Sequence, residues 1–213
     1  MKKNARAQRF AWLPAIAMIM ALAGCQKAAE TNVEAPVVPA SADKATVVKP
    51  ELPPLFRDIE RRTFQFFWDT TNEVNGLTPD RYPSRPFASI AAVGYALTAY
   101  PIGIENNWVS RNQAVDRTLL TLKFFRDMPQ GPQATGKGAY KGFYYHFLDM
   151  QKGERYNSWV ELSSVDTSLF MMGVLFAQSY YDRDDPREKE IREIAEELYR
   201  RVDWNWLQQN KPL

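Results

Sequence analysis

The chain has 213 residues, 13% of them Phe, Trp or Tyr, and a formal net charge of +2 with no basic block. A lone cysteine, Cys25, rules out an internal disulfide or a thiolate metal cluster, and a lone histidine, His146, would have to carry any His-based metal site or Ser-His-Asp triad by itself, so no metal site is expected. With no Lys/Arg stripe and no Gly-rich phosphate loop, nothing points to nucleic acid.

Lys2, Lys3, Arg6 and Arg9 form a positive N-terminal region, and Phe10 to Ala23 is an apolar run of signal-peptide length, too short to span a bilayer comfortably. It ends in Leu22-Ala23-Gly24-Cys25, which resembles a bacterial lipobox, so residues 1–24 are expected to be a cleaved signal and Cys25 the lipidated residue. Gln26 after the cysteine favours the outer membrane by the same resemblance, with the domain in the periplasm or at the cell surface. Residues 25–54, rich in Ala, Pro, Val, Thr and Glu and without a sustained period, read as a disordered tether.

Residues 55–213 are expected to hold one folded domain, since about 160 residues can bury a single core. Leu55 to Thr71 has apolar residues at helical spacing, broken by Asn75-Gly76 and Pro79, and Asn72 to Pro86 is a polar loop. Ser89 to Tyr100 is small and apolar nearly all round, and Pro101 and Gly103 are expected to end it. Ser110 is a good N-cap for a helix running through Met128. A Gly-rich segment, 129–142, leads to a short extended piece, Phe143 to Leu148, and a polar turn region, Asp149 to Val160. Leu162 to Tyr181 is a second strongly apolar helix. Asp185-Pro186 opens the last one, expected to run to about Trp206.

Five helices without a βαβ alternation make the fold all-α. The second and fourth helices are apolar nearly all round and the third and fifth carry a charged face, the pattern of buried inner and amphipathic outer helices in an α/α toroid.

With one imidazole and no free thiol in the domain, carboxylates are the plausible acids and bases, and an Asp/Glu pair flanking a glycosidic bond needs no cofactor. Glu161 and Asp166 stand at the mouth of the apolar fourth helix, where a carboxylate either caps free backbone N–H groups or faces a cavity; spacing alone favours the cap. Asp149 follows the aromatic run Tyr144-Tyr145-His146-Phe147. It fits a sugar subsite, with stacking and a hydroxyl acceptor, about as well as it fits a turn after a strand. Asp80 and Glu154 are further loop candidates, and His146 fits a supporting role better than that of a base.

Four stretches, in one order, resemble the glycoamylase-like domain of glycoside hydrolase family 144, the endo-β-1,2-glucanases: Thr63-Phe64-Gln65-Phe66-Phe67-Trp68-Asp69 with Asn75-Gly76-Leu77-Thr78-Pro79-Asp80-Arg81; Ser89-Ile90-Ala91-Ala92-Val93-Gly94-Tyr95-Ala96-Leu97; Tyr140-Lys141-Gly142-Phe143-Tyr144-Tyr145-His146-Phe147-Leu148-Asp149-Met150; and Glu161-Leu162-Ser163-Ser164-Val165-Asp166-Thr167. The resemblance covers about residues 55–206. It implies an (α/α)6 toroid, inverting hydrolysis of β-1,2-linked glucan and no metal or organic cofactor. It also implies Glu161, Asp166 and Asp149 as cleft carboxylates, Asp80 and Arg81 as substrate-side loop residues, and Tyr144 and His146 as cleft lining. Five helices are about half of the twelve such a toroid needs. The second and fourth helices are therefore expected to expose apolar faces, and at least one catalytic carboxylate of the family is expected outside this chain, so that these residues alone are expected to be incomplete as an enzyme. The alternatives are a lipoprotein that binds a glucan without cleaving it and a helical lipoprotein that docks on a partner.

Overall fold

Polar caps set the helix starts. Helix α1 (Pro54–Thr70) begins on a proline, whose missing N–H costs nothing in a first turn. Ser89 caps α2 (Ile90–Glu105), and Ser110 and Gln113 form a capping box on α3 (Arg111–Asp127). Ser163 caps α4 (Ser164–Tyr180), and Asp185 caps α5 (Pro186–Arg201) by accepting from the Arg187 and Glu188 N–H groups. A single turn, α6 (Trp204–Leu207), follows. The computed structural model describes residues 52–208. The expected signal peptide, Cys25 and nearly all of the tether lie outside the described residues.

The fold is all-α, with only short strands between the helices. Two boundaries differ from the sequence reading. Helix α2 runs through Pro101 to Glu105, because the Gly103 that follows packs against the Phe64 ring, where a side chain would not fit. The last long helix stops at Arg201; Val202 is extended and Asp203 caps α6, so Trp204 and Trp206 swing onto the rings of Phe143 and Tyr140.

Helices α2 and α4 form the inner layer. They cross with their backbones in contact: a Cβ on Gly94 would lie 2.5 Å from the Leu169 carbonyl oxygen, and one on Gly173 would lie 2.2 Å from that of Gly94. Helix α1 packs on α2, and α5 packs on both α3 and α4. The core between the layers holds Leu97, Leu122, Phe125, Phe170, Ile191 and Leu198. At the end away from the inner N-termini, Arg111 donates to both oxygens of buried Glu188 (2.6 and 2.9 Å) and to the Tyr180 carbonyl at the end of α4, tying three helices together.

The inner helices also present the expected uncovered apolar faces. Val165 (68% exposed), Met172 (66%) and Phe176 recur at i, i+7 and i+11 on α4, and Tyr95 and Ile102 at i and i+7 on α2.

Both inner helices start from one stretch of chain. Strand β3 (Phe143–Tyr145) pairs with β2 (Ala139–Tyr140) on one side and with β5 (Leu162–Ser163), which leads into α4, on the other. Strand β4 (Phe147–Leu148) pairs with β1 (Ala88–Ser89), which leads into α2. His146, between β3 and β4, donates its N–H to the Glu161 carbonyl (3.0 Å) and accepts from the Ile90 N–H (3.2 Å). One residue thus joins the starts of both inner helices.

The crossing makes a direct prediction. Gly94→Ala will force the two backbones apart and cost about 1–3 kcal/mol or more, as overpacking does in a filled core. Urea unfolding followed by circular dichroism measures it, and an unchanged midpoint would show that the helices are not in backbone contact.

Candidate active site

The N-termini of α2 and α4 bring the positive ends of two helix dipoles toward the His146 segment, a favourable setting for carboxylates. There the His146 ring spans two of them. Its Nδ1 lies 2.7 Å from Glu161 Oε1, and its Nε2 lies 3.5 Å from Asp166 Oδ1. The first is a hydrogen bond and the second is too long for one.

The two carboxylates are not equivalent. The Asp166 side chain is 12% exposed, and its Oδ2 accepts from the Ser163 hydroxyl at 2.6 Å. The same hydroxyl accepts from the Asp166 N–H at 3.1 Å, so aspartate and serine close the α4 N-terminus on each other. Asp166 therefore belongs to the cap. The Glu161 side chain is 59% exposed. A hydrogen bond from its own backbone N–H, and then the His146 ring, hold its carboxyl below the usual value. At rest Glu161 is a carboxylate, able to accept a proton or to hold a water or a sugar hydroxyl.

A row of aromatic rings leads away from this pair. His146 stacks on Phe147 (3.8 Å between centroids), Phe147 lies against Phe87 (4.2 Å), and Phe87 meets Tyr156 (5.0 Å). Arg81 lies over the Phe87 ring and donates to Asp80 at 2.8 Å. The structure therefore links Asp80, Arg81, His146, Glu161 and Asp166 along one surface.

Two of the expected residues lie elsewhere. Tyr144 is fully buried, packed between Phe125 and Phe170, with its hydroxyl unpartnered among the described residues. It is a core residue and not cleft lining, because β3 is covered along its whole length, with Phe143 and Tyr145 buried beside it. Asp149 accepts from the Gln151 and Lys152 N–H groups through Oδ1 (2.9 and 2.8 Å), an Asx turn that closes the loop ending at Gly153. The Asn72 and Asn75 amides donate to the Met150 and Gln151 carbonyls, so the Asn-Gly loop clamps this turn. The geometry gives Asp149 a turn role through Oδ1.

Sequence reasoning passed over Phe87, Tyr156 and Trp159. Trp159 is 65% exposed and stands two residues before Glu161 in the loop that delivers it. The signal available was exposure of a large aromatic in a polar turn, which composition alone does not separate from core packing.

No group of three or more His, Cys, Asp or Glu side chains among the described residues is arranged to hold a metal ion. One open carboxylate, a tethering imidazole and an aromatic row form a surface that can hold a sugar ring by stacking and its hydroxyls by charge-assisted hydrogen bonds. Hydrolysis by inversion needs a second carboxyl group roughly 6.5–9.5 Å from the first, with room for a water between them. The imidazole fills the interval between Glu161 and Asp166, so that water cannot sit there.

No family profile matches the chain. Among curated proteins, it is 25% identical over 158 residues to an exo-β-1,2-glucooligosaccharide sophorohydrolase of Parabacteroides distasonis, covering 72% of this chain and 21% of that protein. A glucoamylase-like structure from Bacteroides uniformis superposes with a TM-score of 0.64 at 26% identity, over 76% of this chain and 39% of the other. An endo-β-1,2-glucanase from Chitinophaga pinensis, solved with sophorotriose and glucose, shares the fold with a TM-score of 0.61 at 23% identity, over 74% and 38%. The chain thus spans about a fifth of that curated relative and about two fifths of these structures. Its homologues are glucoamylase-like proteins and β-1,2-glucanases, in line with the family 144 resemblance, and its helices form part of an (α/α)6 toroid.

The Glu161 geometry predicts a pH response. His146→Ala removes one of the groups that hold the Glu161 carboxyl low, so its pKa will rise toward the ordinary 4.5. Carboxyl carbon NMR of Glu161 reads this directly, and an unmoved titration would show that the ring does not tether it. Because the folded value is depressed, the carboxylate stabilises the fold above 4.5, and that contribution is lost as pH falls through the lower folded value.

Proposed function

We propose that this chain acts in the hydrolysis of a β-1,2-linked glucan by an inverting mechanism with two carboxyl groups, and that Glu161 is the one it contributes. The observation that supports this most is the open, His146-tethered Glu161 carboxylate beside an aromatic row at the two inner helix N-termini, in a chain whose homologues are β-1,2-glucan hydrolases. In such a reaction one carboxylic acid protonates the leaving glycosidic oxygen. The other, as carboxylate, takes a proton from the water that attacks the anomeric carbon from the opposite face. The resting state of Glu161 matches the second role. His146 orients it, Arg81 and Asp80 hold substrate hydroxyls, and no cofactor takes part. The partner carboxyl group is proposed to come from outside the described residues.

One observation favours a second reading, glucan binding without cleavage: of the two carboxylates that share a neighbour here, Glu161 is held ionised and Asp166 is committed to the α4 cap. Product release separates the two readings. Linear β-1,2-glucan is incubated with the chain alone and with the chain joined to whatever its gene encodes beyond Leu213. Short sophorose-type products, lost by roughly 10²–10⁴-fold in Glu161→Gln, are expected of a hydrolase whose acid–base carboxylate is removed. Binding without product from either folded protein would move the assignment to a glucan-binding protein.

We further propose that the domain is held by lipid on Cys25 in the outer membrane, through the tether of residues 25–54, facing the periplasm or the cell surface. The support for this is the stretch Leu22-Ala23-Gly24-Cys25, which resembles a lipobox behind an apolar run of signal-peptide length. Several acyl chains there would hold far more firmly than one. In cells fed labelled palmitate, Cys25→Ser will lose the label and move to the soluble fraction. Unchanged labelling and fractionation would overturn the lipid anchor.

A further inference from the structure

A second polar and aromatic concavity lies on the outer wall, away from Glu161. It is a groove of about 370 Å³ between α1 and the loop that joins α2 to α3. Its floor is a run of three rings. Buried Phe64 stacks on Trp68 (5.7 Å between centroids, 18° between planes) and meets Trp108 at a tilt (5.2 Å). Arg61, Gln65 and Asp69 recur every four residues along the solvent face of α1 and form one wall. Asn107 forms the other, held in the left-handed region (φ 58°) at the end of α2.

These four polar side chains are not spent on the fold. Among the described residues none of them has a side-chain hydrogen bond or ion pair, and neither tryptophan's indole N–H has a partner or is buried without one. The adjoining concavity on the other side of Trp68 is different. There Arg117 lies over the Trp68 ring and reaches Glu73, Asp116 pairs with Arg187, and Gln113 belongs to the α3 cap. The first groove therefore offers an aromatic platform ringed by uncommitted donors and acceptors of both charges. A phosphate or other anion would meet Asp69 and a cation would meet Arg61. A neutral polyol satisfies all four side chains, and the apolar face of a sugar ring suits indole.

We propose that the groove formed by Trp68, Trp108, Arg61, Gln65, Asp69 and Asn107 is a non-catalytic oligosaccharide-binding site. Asn107 follows the C-terminal end of α2, whose N-terminal end meets the Glu161 cluster, so the two are a helix length apart: 16 residues, or about 24 Å. At that distance the groove would hold a part of the polymer that is not being cut. That its ligand is a β-1,2-glucan rests on the proposed function; that it is a neutral sugar rests on the groove.

The test is calorimetric titration of the full chain, in the Glu161→Gln background to stop turnover, with linear β-1,2-glucooligosaccharides and with cellooligosaccharides of equal length as control. Two classes of site are expected for the β-1,2 series. Trp108→Ala will abolish one and leave the other. Because Trp108 touches Phe64, Gln65→Ala and Asp69→Ala serve as surface substitutions that cannot unfold the core, each weakening the same class about tenfold, the effect of a lost polar contact in a binding site. An isotherm unchanged by all three substitutions overturns the proposal while leaving the hydrolase reading intact. Groove binding in a protein whose Glu161-bearing form, joined to what its gene encodes beyond Leu213, releases no product supports the groove and removes the hydrolase. Groove binding of the cello series alone keeps the sugar site and rejects β-1,2-glucan as its ligand.

Discussion

The close crossing of α2 and α4 at Gly94 and Gly173 is the constraint on which the rest of the architecture depends. Two helices whose backbones touch leave no layer of side chains between them, so their relative placement is fixed within tenths of an ångström. That placement brings Ser89 and Ser163, their two N-caps, to either side of one stretch of chain. His146 can then accept from Ile90 with its carbonyl and donate to Glu161 with its N–H. Separate the helices, and this one-residue bridge could not span both starts.

The outer layer keeps the opposite end closed. Arg111 brings a cation to the C-terminal end of α4, where the helix dipole favours it, and its fork is matched by both oxygens of Glu188. Arg111 in turn holds the Glu188 carboxyl well below the usual range, so the pair is fully charged at neutral pH. Breaking it would leave a buried carboxylate without its partner, which is far more costly than a surface ion pair. The polar investment of the fold is thus divided between its two ends: a closed, fully satisfied clamp at one, and at the other a carboxylate kept open to solvent. Only the second can exchange protons or meet a substrate.

Much of the fold was legible because it follows from patterns with short-range causes. Helices apolar nearly all round can only be inner ones, and Ser110 and Asp185-Pro186 mark helix starts through backbone N–H groups that need partners. Pro101 misled, because the rule that proline ends a helix is local while the packing of Gly103 on Phe64 is not. Tyr144 misled for a related reason. In an aromatic run, which rings are covered depends on what packs over them, and β3, paired with Leu162-Ser163 almost twenty residues on, has all three of its rings buried. Asp149 was read evenly as subsite or turn, and the two N–H groups its Oδ1 accepts show the turn. The link between Asp80-Arg81 and His146 passes through Phe87 and Phe147, a contact across about sixty residues that no local pattern encodes.

The single histidine sharpens the division of labour between the carboxylates. The 2.7 Å contact commits its Nδ1 to Glu161. Its Nε2 lies 3.5 Å from Asp166 Oδ1, beyond hydrogen-bond length. With Oδ2 held by the Ser163 hydroxyl, Oδ1 is the one Asp166 oxygen left without a short bond. Glu161 stands open to solvent beside the ring, and Asp166 is committed to the α4 cap through Ser163. For that reason Glu161, and not the better-buried Asp166, is the carboxylate we propose for the chemistry of this surface.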